Sequence, residues 1–180
     1  MPVTLELPPQ KSQAEFNLRR WAELLVDPLA SKFEGRVETD RFGHMVMSPP
    51  PAPSHGSYQA EIAYLLRQLL PQGRVITECA ISTADGVKAA DVAWASLPQM
   101  KALGSNPCFL TAPEICVEVQ SPSNTEAEFS MKRSLYFDAG AREVWVCSDN
   151  GDMSFFGHSE SRLPHSVVCS GFPKKVKLGA

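Results

Sequence analysis

Two acidic residues interrupt runs of the sequence that otherwise have the apolar character of buried β-strands. Glu118 stands in the middle of ICVEVQSPS, Ile115 to Ser123, and Asp91 follows two alanines in AADVAWA. A lone buried carboxylate is costly to keep ionised, and two carboxylates close together repel each other. A divalent cation relieves both costs, and Mg²⁺ takes hard oxygen ligands, usually including one or two carboxylates. If the two strands are neighbours, we expect Asp91 and Glu118 to form a metal site.

The chemistry of such a site is suggested by the residues on the same faces. Side chains alternate across a strand, so Glu118 and Gln120 project from one face, and Ala89 and Ala93 leave room beside Asp91. A bound metal can polarise a phosphoryl oxygen and lower the pKa of a bound water, which suits hydrolysis of a phosphodiester. A polar or cationic group beside the second carboxylate would orient the water. Gln120 can orient it but carries no charge.

The elements that must position these residues follow from the apolar periodicity. Helices are predicted at about 12–26 and 57–70 and between Thr125 and Gly140, and a hairpin is predicted around 40–43. Further strands are predicted at 75–82 and 87–95, joined by Ala84-Asp85-Gly86, over most of 115–123, and at 142–148 and 153–157. This order indicates an α/β or α+β fold with a mixed sheet, in which 115–148 forms a parallel strand–helix–strand unit.

Two of these helices carry more specific expectations. SPPPAPSH, residues 48–55, is predicted to be irregular, because its prolines remove backbone donors and fix φ. The later helix begins with a capping box of Thr125 and Glu128. Its buried face is predicted from a repeat of four: Ala127, Met131, Leu135 and Ala139.

The length and composition of the chain limit which classes of protein it can belong to. The 180 residues suit one domain, predicted at 11–180, after a flexible tail at 1–10 that contains three prolines. No stretch is apolar enough for a membrane helix, and the N-terminus lacks the features of a signal peptide, so a cytoplasmic location is predicted. The net charge of −3 argues against extensive phosphate contacts without excluding a local basic groove.

The five cysteines indicate neither a disulfide framework nor a zinc site. Their number is odd, their spacings are wide, and no CxxC occurs. Cys79, Cys116 and Cys147 lie in apolar runs and are predicted to be small buried hydrophobes, and Trp94, Trp145 and Tyr136 are predicted to be core residues.

The sequence around both acids resembles the Uma2 family, also called DUF820, which is grouped with the PD-(D/E)XK, restriction-endonuclease-like superfamily. The resemblance spans about Glu34 to Phe156. It is carried by ADVAWAS, by the EVxSPS motif with a following Lys…Tyr…Gly helix and E-x-W strand, and by the upstream MVMSPPPAPSH and its helix. It implies a mixed β-sheet core flanked by helices.

By position, the resemblance implies particular roles. Asp91 and Glu118 match the metal-binding acids, and the backbone carbonyl of Val119 is a third ligand. Gln120 stands where the superfamily has a lysine, and Lys132, on the helix after the strand, is the lysine that can replace it.

The same resemblance identifies two further positions, and at one position this sequence differs from the family pattern. Glu38 corresponds to an additional acidic position that can contribute to the metal site. His55 corresponds to a recurring histidine without an assigned role. Ala90 replaces the proline commonly found before the aspartate.

The resemblance therefore implies an endonuclease that uses Mg²⁺ or Mn²⁺ to hydrolyse DNA, with homodimers expected because related nucleases often cut two strands as pairs. A second hypothesis is a catalytically impaired descendant that binds nucleic acid or a protein, which Gln120 and the acidic pI of about 5.8 suggest. A third is a glycosidase with two carboxylates, although aromatic-rich clefts are not evident. Structural interpretations also stand: Glu118 pairs with a base such as Arg142, and Glu38 and Lys132 are solvated.

Overall fold

The computed structural model describes residues 10–121, 124–158 and 161–178. The predicted tail at 1–10 lies outside these ranges except for Gln10, and so do Pro122 and Ser123 of the SPS motif. The helices are α1 Gln10–Leu25, α2 Pro53–Leu69, α3 Leu97–Leu103 and α4 Glu126–Asp138. The strands are β1 Arg36–Thr39, β2 Met45–Ser48, β3 Gly73–Thr83, β4 Gly86–Ser96, β5 Ile115–Val119, β6 Glu143–Cys147, β7 Met153–Phe156 and β8 Arg162–Leu163.

Six strands form one mixed sheet in the order β3-β4-β5-β6-β7-β8, while β1 and β2 form a separate two-stranded ribbon. Neighbouring strands are antiparallel except β5 and β6, which are parallel and connected by α4. Parallel neighbours need such a crossover connection, whereas the tight turn at 84–86 suffices for the antiparallel pair β3 and β4. The α/β fold class with a mixed sheet is confirmed.

Helices cover both faces of the sheet. On one face, α2 packs Ile62 and Leu66 against Val117 and Trp145. On the other face, Tyr136 of α4 packs within a second apolar cluster. The core positions predicted for Trp94, Trp145 and Tyr136 are confirmed, and all five cysteines are buried and free. No helix within the described ranges is long and apolar enough to cross a membrane.

Helix α2 begins at Pro53, four residues earlier than the predicted start at Ser57. Proline suits the first turn of a helix, because its fixed φ is helical and the missing N–H has no partner to lose there. The prediction that the whole run 48–55 is irregular is therefore wrong for its last three residues, and also for Ser48, which ends β2. The earlier start places His55 in the first turn of α2, where it is buried.

Helix α4 has the predicted capping box but not the predicted buried face. Thr125 Oγ1 accepts a hydrogen bond from the N–H of Glu128, and Glu128 Oε2 accepts one from the N–H of Thr125. Ala127 and Met131 are exposed, and the buried residues are Phe129, Arg133, Tyr136 and Phe137. Large aromatic side chains gain more from burial than alanine does, so they set which side of α4 faces the sheet.

Candidate active site

Asp91 and Glu118 lie at a fork where two central strands separate. β4 pairs with β5 only over Val92–Trp94, and the pairing stops there. If it continued in the same register, Asp91 and Glu118 would be the next pair of facing residues. Asp91 Oδ2 instead accepts a hydrogen bond of 2.6 Å from the backbone N–H of Val119. The two strands are neighbours, which was the condition for bringing the two acids together, and both acids are buried, with 1% and 4% of their surfaces exposed.

Glu118 is held by two side chains from α4. Its Oε1 accepts a hydrogen bond of 2.7 Å from the hydroxyl of Tyr136, and its Oε2 lies 3.2 Å from Lys132 Nζ. Burial, followed by the charge of Glu118, raises the pKa of Tyr136 well above its usual value, so the phenol remains a donor. Arg142 is exposed and does not pair with Glu118, so that choice of base is wrong, and the base that pairs with this buried acid is Lys132.

Lys132 bridges Glu118 and Glu38. Its Nζ lies 2.9 Å from Glu38 Oε1, and the two side chains are only 17% and 13% exposed, so neither is a solvated surface residue. Burial lowers the pKa of Lys132, but the charges of Glu118 and Glu38 outweigh it, and the pKa lies above the usual value. The ammonium is therefore charged at neutral pH.

Gln120 lies beyond the end of β5 and is partly exposed. Its backbone N–H donates a hydrogen bond of 2.7 Å to the carbonyl of Cys147. Its side chain has no hydrogen-bond partner among the described residues. The cation beside Glu118 thus comes from α4, as the family resemblance implies for Lys132, and not from the position of Gln120.

His55 lies against Asp91, although the sequence assigns it no role. Its Nε2 is 3.3 Å from Asp91 Oδ2, and its Nδ1 has no hydrogen-bond partner among the residues that the structure describes. The pKa of His55 is lowered, first by burial and then by the charge of Arg36, while Glu78 and the backbone of Val119 act in the opposite direction. A neutral imidazole is therefore favoured beside the acid.

Sequence reasoning missed Arg36, whose guanidinium enters the fork from β1. It donates to Asp91 Oδ1, donates to both carboxylate oxygens of Glu78 at 3.0 and 3.1 Å, and lies 3.9 Å from Glu118 Oε2. Arg36 and Glu38 alternate in RVET, so a strand would project both from one face. That alternation was the signal available in the sequence.

Glu78 was missed as well, although it is an acid within the apolar run VITECAIS, just as Asp91 is within its own strand. It has a positive φ of 50°, which is strained for a non-glycine residue. The pairing of β3 with β4 keeps one register on both sides of this residue, with Thr77 opposite Val92 and Cys79 opposite Ala90, but the pair at Glu78 is interrupted. Gln59 of α2 donates to Glu78 Oε1 at 2.9 Å and to the carbonyl of Asp91 at 2.8 Å.

The β1–β2 ribbon docks on the part of β4 that β5 does not reach. The N–H of Val87 donates to Thr39 Oγ1 at 2.8 Å, and the N–H of Ala89 donates to Glu38 Oε1 at 3.0 Å. Lys88 Nζ also donates to the carbonyl of Thr39, at 2.9 Å. Side chains of the ribbon thus satisfy strand donors that would otherwise be buried without partners.

The cluster fits a divalent cation in charge and in donor chemistry. Its four carboxylates outnumber its two permanent cations, which leaves an excess of two negative charges, and carboxylate oxygens are the ligands that Mg²⁺ and Mn²⁺ take. Within the described ranges, however, no three acidic, histidine or cysteine side chains form a ready-made metal site. Arg36 and Lys132 stand between the carboxylates. The members are Asp91, Glu118, Glu38, Glu78, Arg36 and Lys132.

The mixed sheet, with acids at the fork of β4 and β5, defines an α/β fold that a solved structure shares. A solved structure from Anabaena variabilis, described as "a putative nuclease belonging to DUF820", superposes with a TM-score of 0.69 at 16% identity, covering 86% of this chain and 93% of that one. The Uma2 family, described as "Putative restriction endonuclease", matches residues 24–165, and the chain belongs to that family. Among curated proteins, none matches.

Proposed function

We propose that this protein is an endonuclease that uses Mg²⁺ or Mn²⁺ to hydrolyse phosphodiester bonds in DNA. The observation that carries the proposal is the meeting of Asp91, Glu118 and Lys132 at one buried fork, in a member of the Uma2 family. The nuclease description of the family and of the structural relative supports the class of reaction. The charge of the cluster supports the cation.

In this proposal, Asp91 and Glu118 hold the cation, with the carbonyl of Val119 as a further oxygen ligand and Glu38 at the edge of the site. A bound divalent ion would polarise a phosphoryl oxygen and lower the pKa of a water beside it. The hydrogen bonds from Val119 to Asp91 and from Tyr136 to Glu118 fix both carboxylates in place. They reduce the rearrangement that binding requires.

Lys132 would orient the attacking water and offset negative charge on the phosphorus. Its raised pKa makes it a charged donor and a poor general base. Glu38 keeps the ammonium next to Glu118, at the place that the superfamily's lysine would serve. Gln120, partly exposed at the strand end, would line the approach of the substrate.

The test is cleavage of supercoiled plasmid by the purified chain with Mn²⁺ or Mg²⁺, compared with the same reaction in EDTA, together with calorimetric titration of the metal. We expect cleavage only with the metal. Lys132→Met is expected to slow cleavage about a hundredfold at saturating Mn²⁺, because a preorganised charged donor is lost. Lys101→Met, at an exposed position on α3, is the matched control and should cleave like the wild type.

Persistent cleavage in EDTA, or full activity of Lys132→Met at saturating Mn²⁺, would contradict this mechanism. If the Lys132→Met protein loses cleavage activity at low Mn²⁺ and regains it at high Mn²⁺, Lys132 serves only to neutralise the negative charge of the carboxylates.

A second candidate function, a binding module without catalysis, is favoured by one observation. Arg36, Lys132, Tyr136 and the backbone of Val119 already engage the oxygens of Asp91 and Glu118. A cluster completed in this way can be purely structural. Metal titration separates the two functions: a wild-type chain that binds no divalent ion at millimolar concentration but retains DNA in a gel-shift experiment is a binding module.

We also propose that the chain acts as a homodimer in the cytoplasm. Unpaired, buried cysteines suit a reducing compartment. Val46 and Met47 of β2 are 44% and 53% exposed on the ribbon, where apolar surface favours contact with a second copy. Sedimentation equilibrium is expected to give twice the mass of the chain, and Met47→Lys should shift it toward the monomer. A wild-type chain that sediments as a monomer at micromolar concentration contradicts the dimer.

A further inference from the structure

The guanidinium of Arg36 lies where a cation shared by Asp91 and Glu118 would be placed. It donates to Asp91 Oδ1, and its Nη1 is 3.9 Å from Glu118 Oε2. The side chain is 17% exposed, whereas the two acids are almost completely buried. Arg36 thus places a positive charge beside Asp91 and Glu118, on the side of the fork that is nearer to solvent.

A divalent ion on the two acids competes with this arrangement. Asp91 Oδ2 is committed to the N–H of Val119, so Oδ1, the oxygen bound to Arg36, is the one open to exchange. Like charges a few ångströms apart in a buried site repel strongly. The ion and the guanidinium therefore cannot both occupy Asp91 Oδ1 at low cost.

Glu78 gives the guanidinium a second place to bind. It accepts two hydrogen bonds from Arg36 in the bidentate geometry that suits guanidinium and carboxylate. Gln59 donates hydrogen bonds to the Glu78 carboxylate and to the backbone carbonyl of Asp91, and thereby holds Glu78 next to Asp91. The positive φ of Glu78 is a local strain of the kind that functional sites retain.

Lys132 does not fit the same role. It contacts Glu118 and Glu38 but is not hydrogen-bonded to Asp91, and the two acids on either side of it favour its charge. Arg36 is the cation that touches both the aspartate of the fork and an acid outside it.

We propose that Arg36 is a displaceable internal cation: it neutralises Asp91 and Glu118 in the metal-free protein and is retained by Glu78 when a divalent ion replaces it at Asp91. This inference rests on the proposed function, because it assumes that the two acids bind a metal. Beyond the proposed function, we infer that Arg36 and Glu78 determine how tightly the site binds a divalent ion. Arg36 accordingly stabilises the metal-free fold and weakens metal binding. A purely structural ion pair would stabilise the fold without affecting the affinity for metal.

The experiment titrates Mn²⁺ into EDTA-treated, dialysed protein by calorimetry and follows thermal unfolding with and without the ion. Arg36→Gln is expected to lower the melting temperature of the metal-free protein and to tighten Mn²⁺ binding about tenfold. The difference in melting temperature from the wild type should shrink when Mn²⁺ saturates both proteins. Arg41→Gln is the matched control, because Arg41 pairs with Asp85 away from the fork, and it should leave Mn²⁺ binding unchanged.

The role of Glu78 is tested by a double-mutant cycle. Glu78→Gln is expected to weaken Mn²⁺ binding about tenfold in the wild-type background and clearly less when Arg36 is already glutamine. Additive effects would show that Glu78 does not act through Arg36. Arg36→Lys keeps the charge but cannot hold Glu78 bidentately while it also bonds to Asp91, so it provides a folded comparison with an intermediate affinity if the glutamine variant does not fold.

The outcomes separate this inference from the proposed function. If the wild type binds Mn²⁺ and Arg36→Gln and Arg36→Lys bind it with the same or lower affinity, the displaceable cation is wrong and the metal site stands. If neither the wild type nor any variant binds Mn²⁺, the proposed metal-dependent function fails and the inference fails with it.

Discussion

Under the proposed function, replacing Glu118 by glutamine is expected to abolish Mn²⁺ binding in calorimetry and to reduce plasmid cleavage roughly a thousandfold or more, because a bound cation would supply several kcal/mol of transition-state stabilisation. The substitution keeps the shape of the side chain, and an amide oxygen can still accept the hydrogen bond of Tyr136. The change is thus mainly the loss of one negative charge from the centre of the fork. Cleavage is measured as the rate at which supercoiled plasmid disappears at fixed Mn²⁺.

Glu126→Gln is the control for this substitution, since that carboxylate lies on α4 with 81% of its side chain exposed. Circular dichroism must show that Glu118→Gln is folded, because Lys132 loses one of its two counter-charges. A folded Glu118→Gln protein that binds Mn²⁺ and cuts DNA like the wild type removes Glu118 from the site.

Glu143→Ala is expected to destabilise the fold by on the order of 4 kcal/mol, a large part of the stability of a typical domain. Glu143 opens β6 and is buried, with 2% of its surface exposed, and among the described side chains no cation pairs with it. Its Oε1 accepts from the N–H groups of Val167 and Val168 at 2.7 and 2.8 Å, and its Oε2 accepts from Trp145 Nε1 and Ser166 Oγ at 2.8 and 2.6 Å. Truncation leaves these four donors without their acceptor.

The free energy of unfolding of this variant is measured by urea denaturation, with Asp149→Asn, an exposed turn residue, as the control expected within about 0.5 kcal/mol of the wild type. Glu143→Gln should fall between the two, because an amide offers one acceptor oxygen in place of two. A loss for Glu143→Ala no larger than that of the control would show that the 166–168 segment holds its place without this carboxylate.

The fold and the two acids of the fork could be predicted from local patterns. Asp91 and Glu118 each stand inside an apolar strand, and the turn at 84–86 and the capping box at Thr125 mark element boundaries through residue types with known backbone preferences. The buried face of α4 could not be predicted from a repeat of four alone. Which side of a helix is buried depends on what the neighbouring sheet can accommodate, and here that is Phe129, Tyr136 and Phe137.

The contributions of Arg36 and Glu78 could not be predicted in the same way. Arg36 reaches Asp91 across 55 positions of sequence, through a ribbon that is not part of the main sheet. The orientation of Glu78 depends on a positive φ in the middle of a strand, for which its residue type gives no signal. Both belong to long-range packing, whereas the sequence points to Lys132 only through the family resemblance, which implies a lysine on that helix.

The ribbon of β1 and β2 has a consequence for how this site can diverge among relatives. It delivers Arg36 and Glu38 to the fork but hydrogen-bonds to β4 through Thr39 and Glu38, outside the six-stranded sheet. A substitution at Arg36 changes the charge of the cluster while every residue of the six-stranded sheet stays the same, although it removes hydrogen bonds to Glu78 and Asp91. One exchange in a four-residue strand outside the sheet can therefore change the charge of the site while the strand order of the sheet is retained.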